Sequence, residues 1–180
     1  MPVASVEVRQ AQLTDHAAAV SLYTRVVDAM RGTPWDIEWD MAWHPTPALL
    51  TQAIERGELY VAVKDGEPVG AFVLNGDQAP DYAKVAWGVD APESKVSVLH
   101  LLAVSPVARG AGVGFALVHS AQKIAREAGS VTLRLDVLAN NAPAIELYRR
   151  CGMRDLGVYT LEIAEGFSRP AHLMEADPRS

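Results

Sequence analysis

Cysteine is nearly missing from this 180-residue chain: Cys151 stands alone. One thiol forms no internal disulfide and no multi-cysteine metal site, which agrees with a reducing compartment. Long apolar runs are also missing. Nothing approaches the ~20 residues of a membrane span, and Met1 to Gln10 lacks the basic flank and apolar stretch of a signal peptide, so a soluble cytoplasmic protein with no membrane partner is expected. Basic side chains are in the minority, 16 against 22 acidic, for a net charge of −6. Nonspecific nucleic-acid binding needs the opposite balance, since cations must displace counterions from phosphates. No grouping of His and carboxylates has metal-ligand spacing, so no metal is expected. What is present is a 49% apolar, 21% charged composition. It is too apolar for a disordered acidic chain and sized for one layered domain over residues 1–180.

Charge is unevenly placed. Met1 to Val104 carries 7 basic and 14 acidic residues, whereas Ser105 to Leu156 carries 7 and 4. A locally positive segment suits an anionic ligand and an acidic front half a cationic one, although solvated helix faces give the same imbalance.

Alternating Val6 and Val8 predict a first strand, and helical spacing over Asp15 to Arg31 predicts a helix with Thr14 as its N-cap. Thr46 and Pro47 open a short helix that stops at Gly57. Strands at Leu59 to Lys64 and Val69 to Leu74 flank the Asp65-Gly66 turn signal and predict a hairpin. Asn75 to Ser94 reads as loop with a short extended piece. A strand at Val96 to Val104, a Gly-rich turn, a helix to Ala128, a strand at Val131 to Val137 and a helix from Ala142 to Arg150 follow. Strands near Gly157 to Ile163 and Ala171 to Ala176 close the chain. Antiparallel strands first and a strand-helix-strand-helix unit after indicate a mixed α/β sheet with helices on its faces.

The turn Arg109-Gly110-Ala111-Gly112-Val113-Gly114 carries the strongest chemical signal. Its glycines let backbone approach a ligand closely, and free N–H groups at a helix start face negative charge with the helix dipole behind them. That describes a pyrophosphate cradle; a connection that merely turns the chain is the plainer reading. A Walker A loop is excluded because Phe115 and Ala116 stand where Lys and Ser/Thr are required. A dinucleotide fingerprint fits poorly, since Phe115 occupies its sixth position and Ser105 to Arg109 intervene after the strand, though Asp136 imitates its ribose-binding acid.

Arg109, Gly112 and Gly114 match the Arg/Gln-x-x-Gly-x-Gly/Ala signature of the GNAT family of acyl-CoA-dependent N-acetyltransferases, which this segment resembles. Leu102-Ala103-Val104-Ser105-Pro106 looks like that family's strand and entry loop. Asn141, Ala144-Ile145, Leu147-Tyr148 and Gly152-Met153 resemble its later motif, with Met153 in place of the usual Phe. The resemblance implies a central mixed, mostly antiparallel sheet whose two parallel central strands splay apart. It also implies acetyl-CoA as cosubstrate, its pantetheine arm in that gap against Leu102, Ala103 and Val104, and its pyrophosphate on the backbone from Arg109 through Gly110, Ala111, Gly112 and Val113 to Gly114. Asn141 and Tyr148 complete the implied cofactor set. Members of such families commonly pair through exposed strands, which extends the expectation to a homodimer.

Direct transfer needs a neutral amine, a proton route, an oxyanion site and a proton donor for the thiolate. Tyr148 matches the family position that protonates the sulfur; a tethered core tyrosine is the alternative. His100 lies where many relatives carry a Glu that accepts the amine proton, and an imidazole titrates near neutrality and can do so; a hydrogen-bonded structural histidine is the alternative. Asp136 reads as a supporting acid or a salt-bridge partner on the face of Thr132 and Arg134. Cys151 has no activating neighbour in the sequence and reads as structural. Trp35, Trp39 and Trp43 recur every four residues among Asp36, Glu38 and Asp40. On a helix they would share one face and could hold a cationic amine acceptor, or simply bury against the sheet. Two further function classes stay open: a noncatalytic acyl-CoA-binding module and a dinucleotide-binding oxidoreductase.

Overall fold

The structure, a computed structural model, describes residues 6–180. The first five residues of the segment read above as lacking a leader lie outside it. Strand β1 (Glu7–Gln10) leads to helix α1 (His16–Met30), then α2 (Pro47–Glu55), β2 (Leu59–Lys64), β3 (Glu67–Asn75) and β4 (Val96–Val104). The second half runs α3 (Val113–Glu127), β5 (Thr132–Leu138), α4 (Ala142–Arg150), β6 (Arg154–Ala164) and β7 (Phe167–Ala176). The strands form one seven-stranded sheet in the order β1-β2-β3-β4-β5-β7-β6. Only β4 and β5 run parallel.

Local sequence explains most boundaries. The Thr46 hydroxyl accepts from Leu49 N–H, Pro47 occupies the first turn of α2, and Gly57 follows with φ 70°. A helix needs such an acceptor because its first N–H groups have no partner within it. The expected Thr14 cap is not formed. Gln12 instead opens a 3-10 turn over Leu13–Asp15, its N–H donating to Asp15 Oδ2 at 2.7 Å and its C=O accepting from Asp15 N–H at 2.8 Å, and α1 follows from His16. The Asp15 carboxylate is also gripped by Arg9 at 2.7 and 2.9 Å, a partner set by β1 rather than by local sequence. The Asn75 to Ser94 segment contains 3-10 turns rather than an extended piece, and the terminal hairpin is longer than its apolar residues indicated, because β6 is a largely exposed edge strand that needs little apolar signal.

Two layers cover the sheet. Leu117, Val118 and Ala121 of α3 with Ile145 and Tyr148 of α4 pack on one face against Phe72, Leu99, Leu133 and Leu135. On the other face, Leu22, Tyr23 and Val26 of α1 and Leu50 and Ile54 of α2 cover β2, β3 and the end of β4. The Tyr82–Trp87 loop covers β4, β6 and β7 beside them. A space remains between these two coverings, over the centre of the sheet.

Strand β4 changes face along its length. Leu99 packs into the α3 cluster, whereas Leu101, two residues on, packs into the α1 cluster. An undisturbed strand would place both on one side. The inversion comes from an extra residue: Ala71 pairs with Ala103 and Val73 with His100, and Leu101 takes φ 52°. This bulge is clasped by the buried Tyr23, whose hydroxyl donates to Leu101 C=O at 2.7 Å. Pairing with β5 stops before it. Val96, Ser97 and Val98 pair with Thr132, Leu133 and Arg134, and no pair follows. Beyond that point β4 stays bonded to β3 and β5 to β7, so the inner edges part while the outer ones hold. Removing the hydroxyl in Tyr23→Phe leaves a bulge carbonyl without its donor and is expected to lower unfolding free energy by about 1 kcal/mol. An unchanged denaturant midpoint would show that the bulge needs no clasp.

Candidate functional site

The opening between β4 and β5 leads into a cavity of about 540 Å³. His100 and Asp136 reach it because each lies on the sheet face left between the two coverings, and Tyr148 and Asn141 enter from α4. Glu58, Asn75 and Asp77 line it from the β2–β3 side, and Trp39 and His44 from the loop before α2.

The His100 ring is mostly buried, with Nε2 at 3.0 Å from Asn75 Oδ1. Burial holds its pKa below the usual histidine value, against the opposing pull of Asp136, Asp77 and Glu58. The ring is therefore neutral at pH 7, as a proton acceptor must be. Tyr148 is 7% exposed, and among the described residues its hydroxyl donates to no protein acceptor. Burial, aided by Asp136, pushes its pKa well up, so it remains a protonated donor through neutral pH. The tethered-tyrosine reading of Tyr148 does not describe this side chain.

Asp136 does not pair with Arg134. It accepts from the Tyr82 hydroxyl at 2.7 Å, while Arg134 bonds Gln78 Oε1 and Val89 C=O and stacks 4.2 Å from the centre of the Trp87 ring. The salt-bridge reading is corrected: both partners are supplied by the loop after β3, whose path no local pattern reveals. Asn141 is the N-cap of α4, accepting from Ala144 N–H at 3.4 Å, and also lines the cavity.

The Gly-rich turn lies past the end of β4. Gly110 and Gly112 take φ 78° and 79°, a left-handed conformation that favours glycine, and Gly112 is the N-cap of α3 with no side chain to satisfy the helix. The first α3 N–H groups thus keep their capacity for an anion, unlike those of α4. Arg109, Gly110, Ala111 and Gly112 are exposed, and Arg109 makes no ion pair among the described residues. The Val113 and Ala103 side chains are buried in the core, so only their backbone is available to a ligand. Leu102 lines the cavity and Val104 packs toward α3. Gly114 has a further role: a Cβ there would stand 2.9 Å from Leu147 Cδ2, so it lets α4 approach α3.

The three-indole wall is not formed. Residues 32–44 make turns rather than a helix, held by Asp36 accepting from Gly32 and Glu38 N–H and by Asn140 Nδ2 donating to Asp36 C=O at 2.7 Å. Trp39 alone of the three lines the cavity, tilted against Tyr23 with ring centres 6.1 Å apart, while Trp35 and Trp43 are 44% and 50% exposed. The interleaved acids hold the loop: Asp40 accepts from Ala42 N–H and Glu38 pairs with Arg169 at 3.0 Å. Four-residue spacing is a helical signal only where the backbone between stays helical; here Glu38 takes φ 61° between Trp35 and Trp39, and Asp36 and Asp40 each accept from the N–H two residues on, which favours turns over helix.

Tyr23, Asn75 and Tyr82 were not singled out from the sequence. Tyr23 is one apolar-face residue of α1, and the other two precede or lie within an irregular loop, so only the tertiary structure brings them to the site. Among the described residues no group of three or more His, Cys, Asp or Glu is placed to hold a metal ion, and no helix is long and apolar enough to cross a membrane.

The sheet thus has one splayed parallel pair, joined through a Gly-rich helix start that no side chain caps. The acetyltransferase (GNAT) family model matches residues 23–153, and the chain belongs to that family. Over 108 residues it is 31% identical to an uncharacterized N-acetyltransferase, YesJ, of Bacillus subtilis, covering 60% of this chain and 59% of that protein. Over 105 residues it is 33% identical to the streptothricin acetyltransferase of Streptomyces lavendulae, covering 52% and 56%. The matched stretch thus spans little more than half the length of these relatives. Among solved structures, Salmonella typhimurium yncA with its cofactor acetyl-CoA superposes with a TM-score of 0.67 at 18% identity, covering 97% of this chain and 94% of that one. The ribosomal-protein-alanine N-acetyltransferase of Brucella melitensis gives 0.68 at 22% identity, covering 95% and 99%. The dinucleotide alternative is overturned, since its parallel, doubly wound sheet is not the one present.

Cys151 is buried outside this cavity, and burial pushes its thiol up to about 11. Iodoacetamide at neutral pH is expected to alkylate it at least roughly tenfold more slowly in the native than in the unfolded protein. Equal rates would restore it as a candidate nucleophile.

Proposed function

We propose that this protein transfers an acetyl group from acetyl-CoA to an amine by direct attack in a ternary complex. The observation that carries the reading is the opening between β4 and β5 into one cavity shared by a neutral His100 and a protonated Tyr148. Acetyl-CoA supplies the thioester whose acyl group is transferred. The unpaired inner edge of β4 over Leu102, Ala103 and Val104 offers backbone groups to an extended chain, and the α3 start from Arg109 to Gly114 offers N–H groups to a pyrophosphate. His100 takes the proton of the incoming amine, and Tyr148 gives a proton to the departing sulfur. A backbone N–H near Ala103 or Val104 meets the oxyanion.

The cavity also favours a cationic acceptor. Glu58, Asp77 and Asp136 line it, with Arg56 the countercharge at one side and Trp39 an aromatic wall. The acidic front half of the chain supplies two of these carboxylates, although not the ones interleaved with the tryptophans.

A panel of amines assayed for CoA thiol release, with acetyl-CoA binding followed separately by thermal shift, tests the reading. Acetyl-CoA is expected to raise the melting temperature, NAD is not, and at least one cationic amine is expected to turn over. Stabilisation by acetyl-CoA with no turnover on any amine would identify a noncatalytic acyl-CoA-binding module instead. Tyr148→Phe should lower kcat by roughly tenfold or more while acetyl-CoA affinity changes by less than about twofold. An unchanged kcat removes Tyr148 from the proton route. In the wild type, kcat/KM should rise through a pKa below the ordinary histidine value of about 6.5, and His100→Ala should flatten that limb. If the limb persists unchanged, the proton leaves by another group.

A further inference from the structure

We infer that Asn75 is a positioning residue that fixes His100 as its Nε2–H tautomer, so that Nδ1 is the atom that accepts the amine proton. The inference rests on the reading of His100 as the base. Asn75 ends β3, one strand over from His100, and every hydrogen-bonding capacity of its amide is engaged. Nδ2 donates to Glu58 Oε2 at 3.1 Å and to Asp77 Oδ2 at 3.2 Å. Oδ1 accepts from Asp77 N–H at 3.0 Å and faces His100 Nε2 at 3.0 Å.

The orientation of this amide is forced by its neighbours. Carboxylates only accept and a backbone N–H only donates, so the NH2 must face Glu58 and Asp77 and the oxygen must face the Asp77 N–H. An amide oxygen cannot donate, so the imidazole nitrogen before it carries the hydrogen. With one proton on a neutral ring, Nδ1 is left with the lone pair. A free histidine divides between two tautomers and rotates about its side chain; here one acceptor selects the tautomer and anchors the ring.

The charged surroundings suit the state that follows proton uptake. Asp136 on β5, the Asp77 side chain and main chain after β3, and Glu58 before β2 all favour the imidazolium, while burial opposes it. His44 is half-buried on the loop before α2 and is held neutral by burial and by His100. Tyr148 faces the cavity protonated, Arg56 and Glu162 stand on its wall, and none of these supplies an acceptor to Nε2 among the described residues. Asn75 holds Glu58 and Asp77 beside the ring through its own amide, so it orders both the base and the acids that steady it.

The test pairs a structural readout with a kinetic one. In wild-type protein labelled with 15N in its histidine rings, with His100→Gln used for assignment, His100 is expected as the Nε2–H tautomer above its pKa. Asn75→Ala is expected to mix the two tautomers and lower kcat roughly tenfold with KM within about twofold. Asp77→Asn keeps an acceptor for Asn75 Nδ2 and removes a negative charge that favours the imidazolium, so it should retain the tautomer and move the His100 titration and the acid limb downward together. A wild-type Nδ1–H tautomer, or one unmoved by Asn75→Ala, overturns the inference. A titration that shifts in Asp77→Asn while the acid limb does not overturns His100 as the base and leaves its orientation by Asn75 standing. The ring spectra need no acceptor amine, so they decide the tautomer even if no turnover is found.

Discussion

Everything at the candidate site depends on the bulge in β4. One strand has to serve two packing layers, and a period of two residues cannot put Leu99 against α3 and Leu101 against α1 without an inserted residue. The inversion places His100 immediately before the bulge, on the face between the coverings, and follows the point where β4 and β5 part. Tyr23 clasps the bulge from α1 and Trp39 rests against Tyr23, so the loop at the cavity wall and the strand at its floor share one support. A flat, fully paired β4–β5 ladder would close the opening and bury backbone edges that the proposed reaction needs.

Burial then sets the protonation of the two groups that face this opening, in opposite directions. It disfavours charge on both, which holds His100 below its usual pKa and Tyr148 above its own. The result is an acceptor and a donor of protons coexisting at neutral pH in one cavity. The nearby carboxylates Asp136, Asp77 and Glu58 pull His100 the other way, but burial is the larger effect on the ring, and Asp136 reinforces it at Tyr148. The same desolvation raises Cys151, which lies elsewhere and is thereby kept inert.

Elements with local causes were legible in the sequence. Thr46 and Pro47 marked α2, Asp65-Gly66 marked the β2–β3 turn, and Asn141 marked the start of α4 to the residue. The Gly-rich turn and the Leu147-Tyr148 motif pointed to the family, and with it to the splayed strands. Illegible were features made by distant contacts: the clasp from Tyr23 to Leu101 joins residues 78 apart, and the Tyr82–Asp136 bond residues 54 apart. The tryptophan spacing misled because spacing alone ignores the turn-forming Asp36 and Asp40, whose carboxylates bind nearby backbone N–H groups in place of facing a ligand, and Glu38 between them leaves the helical region at φ 61°. The bulge itself left no mark, since Val96 to Val104 reads as one strand rich in Leu and Val, apolar on both sides of His100.

Backbone amide shifts on adding acetyl-CoA to the free protein test the central claim, that the parted strand and the uncapped helix form one binding surface. The account predicts the largest changes at Leu102 to Val104 and at Val113 to Phe115 together, with none on adding NAD. Changes confined to other surfaces, or none along β4, would contradict it.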